Sequence, residues 1–163
     1  MRENSYRSGL VALGTVMAVA LSASGVQSVL LIVNNYWEES IQQSCGGTNF
    51  CAFDFSRVPT AKTLIVTNVS CGFTVTIASS GFASVILDKR NAAGDIIDLP
   101  RIDLFPGKKG EVANTVQFWA VTNQVSHIVR QLQRARIEVT VLSGVYYGGP
   151  PFQTCTVVGI LTP

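Results

Sequence analysis

Catalytic chemistry in this sequence would have to use very few side chains. Its single histidine, His127, lies among valine and isoleucine residues, and no G-x-S-x-G sequence marks a nucleophilic serine. Because a serine or cysteine nucleophile needs a neighbouring base, any such mechanism would depend on His127 alone. We expect His127 to have a structural role.

Aspartates are the other candidates, because two carboxylates suffice for glycoside hydrolysis. Asp95, Asp98 and Asp103 lie close together in a region of turns, and Asp54 and Asp88 lie next to predicted strand residues. Nothing in the sequence pairs any two of them, and the calcium-loop pattern D-x-[DN]-x-[DN]-G is absent. We expect no enzyme activity, no cofactor and no metal site. A small hydrolase using paired carboxylates is the alternative.

The cysteines, by contrast, predict a structural role. Cys45, Cys51, Cys71 and Cys155 are an even set without the C-x2-C spacing of zinc sites. Such a set favours disulfides formed in an oxidising compartment. Three pairings are open from sequence alone. We favour Cys45 with Cys51, which closes a short loop, and Cys71 with Cys155, which joins two predicted strands.

The N-terminus has the features of an export signal. Two arginines precede the uncharged apolar run LVALGTVMAVAL, and small residues follow. This order is typical of a secretory signal peptide, cleaved here between Ala20 and Ser28. Alternatively, the uncharged residues 10–33 could span a bilayer as an uncleaved anchor. We predict a hydrophobic leader helix within residues 1–25 and a secreted or periplasmic protein, with membrane anchoring by residues 10–33 as the alternative.

Charge and composition exclude some partners. The net charge of +2 on 163 residues gives no general attraction to nucleic acid, so we expect no nucleic-acid partner. Membrane contact is expected only if the leader stays attached. Arg130, Arg134 and Arg136 would share one face if their segment is extended, as a solvated surface or a patch for an anionic ligand.

Strand patterns dominate the remaining sequence. Residues 62–77 (KTLIVTNVSCGFTVTI) alternate with period two, which predicts one long strand with its odd positions on one face and a bulge near 70–72. Short alternating runs follow at intervals of about ten residues. They predict an all-β fold, an antiparallel β-sandwich or jelly-roll-like domain over 51–163, with 26–50 as an N-terminal extension. Residues 125–136 leave a short helix open.

Aromatic residues in predicted loops are the best indication of a binding site. Tyr146 and Tyr147 lie in the segment GVYYGGPP, and Tyr36 and Trp37 lie in a polar segment. Sugar sites use such rings because their faces stack on a pyranose while a hydroxyl forms a hydrogen bond. The alternative is that the rings pack over the ends of the sandwich. We predict an exported, non-catalytic protein with a binding or surface-structural role, and carbohydrate or a cell-surface molecule as its partner.

Overall fold

The computed structural model describes residues 19–23, 26–76, 82–97, 102–104, 109–113, 116–142, 145–146 and 153–163. Within these ranges every regular element is a β-strand. The strands are β1 (Val19–Ala23), β2 (Val26–Val33), β3 (Tyr36–Gln43), β4 (Phe50–Arg57), β5 (Thr63–Thr76), β6 (Phe82–Arg90), β7 (Ile102–Asp103), β8 (Lys109–Ala113), β9 (Val116–Val129), β10 (Arg134–Val141) and β11 (Gln153–Thr162). Most of the predicted leader helix, residues 1–18, lies outside the described residues. Across the described ranges, we find no helix with the length and apolar character needed to cross a membrane.

The strands pair in two antiparallel sheets. The larger sheet has seven strands in the order β1-β2-β3-β11-β5-β9-β8, and the smaller has four in the order β4-β10-β6-β7. The chain changes sheet between β3 and β4, again between β4 and β5, and again between β5 and β6. The predicted all-β class with antiparallel sheets is confirmed, and the arrangement is consistent with a β-sandwich.

The hydrophobic core lies between the two sheets. Cys51, Phe53 and Phe55 of β4 are buried, as their alternation with polar residues predicts, and the ring of Phe53 lies 6.1 Å from that of Phe73 on β5. Strand β10 follows the same rule, with every second residue buried. Burying each aliphatic or aromatic side chain contributes about 1.5–3 kcal/mol, so this interior is the main source of stability.

The long central strand forms as predicted, but its bulge lies elsewhere. Strand β5 is continuous from Thr63 to Thr76, and residues 70–72 pair in unbroken register with both β9 and β11. The register shift against β9 lies instead between Val66 and Asn68. The predicted bulge at 70–72 is therefore wrong, because glycine permits a bulge without requiring one.

The bulge at Thr67 reverses which side chains of β5 face the core. Leu64 and Val66 point inward before it, whereas Val69 and Cys71 point inward after it. Since strand side chains alternate with period two, one extra residue moves the following ones to the opposite face. The expectation that all odd positions share one face is consequently wrong at the start of the strand.

Two other segments differ from the sequence-based interpretation in informative ways. Strand β9 continues to Val129 and a tight turn at 131–132 leads into β10, so the helix considered for 125–136 is wrong. Residues 26–50, predicted as an extension, contribute β2 and β3 to the larger sheet. The second half of the alternative anchor, residues 26–33, is likewise a strand.

Both predicted disulfides are present. Cys45 bonds to Cys51 and Cys71 to Cys155, with Cα–Cα distances of 5.6 and 4.1 Å. Cys71 and Cys155 are register partners on the neighbouring strands β5 and β11, where both side chains point into the core. Disulfides of this kind are typical of proteins from oxidising, extracellular-type compartments.

One carboxylate is buried where the two sheets meet. Glu39 of β3 is 1% exposed and accepts hydrogen bonds from Ser28 Oγ at 3.0 Å, Ser56 N at 2.8 Å and Ser56 Oγ at 2.8 Å. Burial disfavours the charged form and raises the pKa of Glu39, although these three donors partly offset the effect. Glu39 thus joins β2, β3 and β4 through polar contacts, while its burial favours the protonated form.

We expect Glu39 to make stability depend on pH in an unusual direction. A carboxyl whose folded-state pKa is raised contributes its full stabilisation below the ordinary glutamate value and loses it as pH rises through the folded-state pKa. The free energy of unfolding of the wild type, relative to Glu39→Gln, should therefore rise as pH falls from 7 toward 4.5. Urea unfolding at several pH values measures this difference, and parallel pH profiles for the two proteins would contradict it.

Candidate functional site

The outer face of the seven-stranded sheet carries a row of partly exposed apolar side chains. Strand register places one residue from each of five neighbouring strands side by side. In order across β2, β3, β11, β5 and β9, they are Val33, Tyr36, Ile160, Ile65 and Ile128. Four of them are between 38% and 51% exposed, and Ile65 is half-buried. With strands about 4.8 Å apart, the row is about 19 Å long. We call these five residues the apolar row.

Local irregularities in β5 and β11 are what align the row. The bulge at Thr67 turns Ile65 outward, whereas uninterrupted alternation from Val69 would have turned it inward. Opposite it, β11 shifts register between Val158 and Gly159. A Cβ atom on Gly159 would lie 2.5 Å from the carbonyl oxygen of Ile65 and 2.7 Å from Leu64 Cδ1. Only glycine permits this close approach of the two strands.

The surface around the row is almost uncharged. Among the outward-facing side chains described for β2, β3, β5, β9 and β11, Glu38 is the one charged group. Hydroxyls occupy a second row across β3, β11, β5 and β9, four to six residues along each strand, where Ser40 Oγ lies 2.7 Å from Thr156 Oγ1 and Ser70 Oγ lies 3.5 Å from Thr122 Oγ1. Apart from Glu38, desolvating such a surface costs little, because the other outward-facing side chains carry no charge.

A cleft continues the apolar row at its β9 end. It has a volume of about 310 Å³ and is lined by Ala61, Lys62, Thr63, Ile128, Arg130, Gln131 and Pro163. Ile128 belongs to both the row and the cleft. The side-chain Oε1 of Gln131 accepts a 2.9 Å hydrogen bond from the backbone N–H of Ala61, which fixes the two turns against each other. Lys62 and Arg130 make this end of the surface positive.

The four aromatic residues predicted as a sugar site are not brought together. Trp37 is 1% exposed and Tyr146 is fully buried, with its hydroxyl donating to the Val139 carbonyl at 3.2 Å. Burial also raises the pKa of Tyr146 well above its ordinary value. Tyr36 is exposed and belongs to the apolar row, and Tyr147 lies outside the described residues. Two of the four rings therefore cannot stack on a ligand.

Tyr36 differs from Trp37 because neighbouring strand residues point to opposite faces. The Tyr36 hydroxyl donates a hydrogen bond to the Glu38 carboxylate two residues along the same face. This hydrogen bond raises the pKa of Tyr36, since it holds the proton on the phenol oxygen. The pair places a polar group beside the apolar row.

Two carboxylates of the alternative hydrolase hypothesis, Asp54 and Asp88, lie on the opposite side of the molecule, paired with arginines. On the outer face of the four-stranded sheet, Arg90 binds Asp88 through two bonds of 3.0 and 3.1 Å and also binds Glu138. Arg136 joins Glu138 at 2.9 Å and Asp54 at 3.2 Å. An alternating chain of acids and arginines is typical of a structural ion-pair network rather than of a free acid and base.

The remaining candidate groups are dispersed. Asp95 exchanges hydrogen bonds with Asn91 within a turn, and Asp98 lies outside the described residues. The turn at 131–132 separates Arg130, at the cleft, from the arginines of β10, so these arginines do not share one face.

In the described part of the chain, no group of three His, Cys, Asp or Glu side chains could hold a metal ion.

His127 lies on the inner face of β9 rather than at any surface site. It is 5% exposed, and burial lowers its pKa, with Lys89 adding to the effect and Asp88 opposing it. Its Nε2 has no hydrogen-bond partner among the described residues. The neutral imidazole is a core side chain in this position.

Comparisons with known proteins do not identify a family. No protein-family model matches the chain, and no curated protein has a detectably similar sequence. The assignment of function therefore depends on the surface described above. Sequence reasoning found Tyr36 but not the four aliphatic members of the row, because each is an ordinary strand residue until register places them together.

Proposed function

We propose that this protein is exported, acts without catalysis, and binds a protein partner through the apolar row and the adjoining cleft. The single observation that carries this proposal is the alignment of five partly exposed apolar side chains on a nearly uncharged sheet face. Large contiguous apolar patches are uncommon on monomeric soluble proteins, and the largest patch on a protein surface is often an interaction site.

The charges around the row indicate what kind of partner it fits. The centre is apolar, and the β9 end is made positive by Lys62 and Arg130. A complementary surface would present aliphatic or aromatic side chains at its centre and a carboxylate opposite these two cations. Carbohydrate is a weaker candidate, because Trp37 and Tyr146 are buried and Tyr36 alone offers an accessible ring among the described candidates.

Export is supported by the sequence of the leader and by the two disulfides. A charged start, an apolar run and small residues are typical of a signal peptide, and disulfides persist in oxidising compartments. We propose cleavage between Ala20 and Ser28 and a secreted or periplasmic location. Retention of the leader as a membrane anchor remains the alternative arrangement of the same domain.

The strand order supports a jelly-roll arrangement of the sandwich. Without β1, β2 and β8, the two sheets read β3-β11-β5-β9 and β4-β10-β6-β7. Jelly rolls have two four-stranded sheets of this wrapped type and occur in many surface and binding proteins. The fold alone does not specify a function, so the proposal depends on the apolar row rather than on the topology.

Site-specific photocrosslinking in the producing cells tests the proposal and needs no purified partner. A photoreactive phenylalanine analogue at Ile160, in the middle of the row, is expected to give a crosslinked adduct with another protein. The same group at Leu142, which is 67% exposed and lies outside the row, is the matched control. Equal crosslinking at both positions, or none at Ile160, would contradict the proposed binding surface.

A further inference from the structure

We propose that removal of the leader during export opens the edge of β2, and that β2 of a second copy of this chain then pairs with it in an antiparallel arrangement. The proposal rests on the cleaved leader of the proposed function and adds a second, independent interaction surface. It concerns the edge of the seven-stranded sheet, whereas the apolar row lies on the outer face of that sheet.

The edge of β2 already accepts an extended apolar strand within this chain. Strand β1 pairs antiparallel with β2 in a register that runs from Val19 opposite Leu30 to Ala23 opposite Val26. Strand β1 lies inside the predicted leader, so cleavage after residue 25 would remove it entirely. The backbone N–H and C=O groups that β1 satisfies would then need another partner, either water or a strand.

Strand β2 remains in the sheet after such cleavage because its other contacts are independent of β1. It pairs with β3 along its whole length, from Val26 opposite Gln43 to Val33 opposite Tyr36, without a register shift. Leu30 and Ile32 pack against the hydrophobic core. The Ser28 hydroxyl donates to buried Glu39. The new edge would therefore be straight and well fixed.

This edge lacks the features that normally prevent strands from pairing between molecules. Natural edge strands are short, bulged, or carry charged residues or proline. The eight residues of β2, VQSVLLIV, include no charge, no proline and no glycine. A regular, apolar and uncharged edge strand of this length is a site for strand addition.

The other edges in the described sheets carry such protection. Strand β8 has five residues, with the sequence KGEVA, and β7 has two residues. Strand β4 carries Asp54 and Arg57 among its eight residues. The contrast is consistent with a β2 edge that is covered by the leader before export and by another strand afterwards.

A second copy is the occupant that these features favour. Strand β1, which pairs with β2 in an antiparallel arrangement, is extended, apolar and uncharged. Strand β2 is itself extended, apolar and uncharged. Two β2 strands related by a two-fold axis perpendicular to the strands are antiparallel, and each would satisfy the other's edge. No charged group on either strand would oppose the contact.

The full chain with its leader, produced in an exporting bacterial host, tests the proposal. The intact mass of the exported protein locates its N-terminus, and light scattering after size-exclusion chromatography gives the mass of the assembly. We expect a leader-free protein with twice the mass of one chain. Amides of residues 26–30 should exchange slowly with solvent in this dimer.

Two lysine substitutions on the same sheet face distinguish the edge from the face. Val29 on β2 is 56% exposed and Ile160 on the interior strand β11 is 48% exposed. Val29→Lys should raise the dimer dissociation constant at least about tenfold, because a lysine on an edge strand opposes pairing with another strand and the dimer would carry two of them. Ile160→Lys should leave the dimer intact.

The outcomes separate this proposal from the proposed function. An exported protein that retains residues 1–25 would overturn both the edge pairing and the cleaved leader. A leader-free protein that is monomeric at every concentration would overturn the edge pairing alone. A dimer lost in Ile160→Lys and kept in Val29→Lys would also overturn it, because the two copies would then meet through the apolar row.

Discussion

Replacing both Cys71 and Cys155 by alanine is expected to lower the free energy of unfolding by about 4–5 kcal/mol. These cysteines are separated by 84 residues in sequence, so their bond restricts the unfolded chain over most of the domain. In the folded protein they link β5 to β11 at the centre of the larger sheet, between buried side chains. Urea unfolding under non-reducing conditions measures the loss.

The second disulfide is the matched control for this prediction. Cys45 and Cys51 are separated by six residues, and the same loop-closure argument gives about 2 kcal/mol for replacing both by alanine. The two double variants remove the same atoms, so the difference between them reports on loop length together with the deeper burial of Cys71 and Cys155. Equal losses for the two pairs would show that the unfolded state retains structure that shortens the effective loop.

Replacing Gly159 by alanine is expected to lower the free energy of unfolding by about 2–3 kcal/mol. The added Cβ would lie 2.5 Å from the Ile65 carbonyl oxygen, which is a backbone atom and cannot rotate away. It would also lie 2.7 Å from Leu64 Cδ1, inside the core. Strands β5 and β11 would have to separate at the place where their register shifts. Thermal and urea unfolding both measure this effect.

Gly72 on β5 provides the control for this second prediction. It belongs to the same sheet and also pairs with β11, but a Cβ atom there would have no neighbour within 4 Å. Gly72→Ala should change the free energy of unfolding by no more than about 0.5 kcal/mol. Similar losses at the two positions would mean that strand conformation, rather than the close approach at Gly159, determines the cost.

Gly159 also helps to position the proposed binding surface. Gly159 lies next to Ile160 in sequence, and its close neighbour Ile65 is the register partner of Ile160. The same strand approach that would be lost in Gly159→Ala therefore positions two members of the apolar row. A partner that binds the apolar row should bind Gly159→Ala more weakly. Substitutions of the exposed Ile160 should weaken binding as well, but without a comparable loss of stability.

The strands and disulfides could be predicted because both follow from local patterns. Alternation along Cys51, Phe53 and Phe55 predicted which face of β4 is buried, and the structure confirms it. An even number of cysteines, with one pair close in sequence, indicated the pairing that is observed. The strand pattern and the Cys45–Cys51 loop involve residues near one another in sequence, whereas the Cys71–Cys155 pair was only the favoured one of three open pairings.

The candidate site was only partly predictable, because exposure depends on what packs against a side chain. Tyr146 lies in a Gly/Pro-rich segment, where a surface ring was expected, yet it packs 6.3 Å from Phe73 in the core. Tyr36 and Trp37 were expected in one polar segment, but they occupy a strand and point to opposite faces. Periodicity there was obscured by inward-facing Glu39, whose burial depends on donors from other strands.

Sequence alone determined that the described part of this chain is all-β and which segments form the long strands, since these depend on short-range alternation; it favoured the observed cysteine pairing without excluding the other two. Tertiary structure alone decided the position of the bulge at Thr67, the inclusion of β2 and β3 in the larger sheet and the assembly of the apolar row. The physical reason is that register is a relation between strands far apart in the chain: a shift of one residue exchanges the two faces of a strand without changing its sequence pattern.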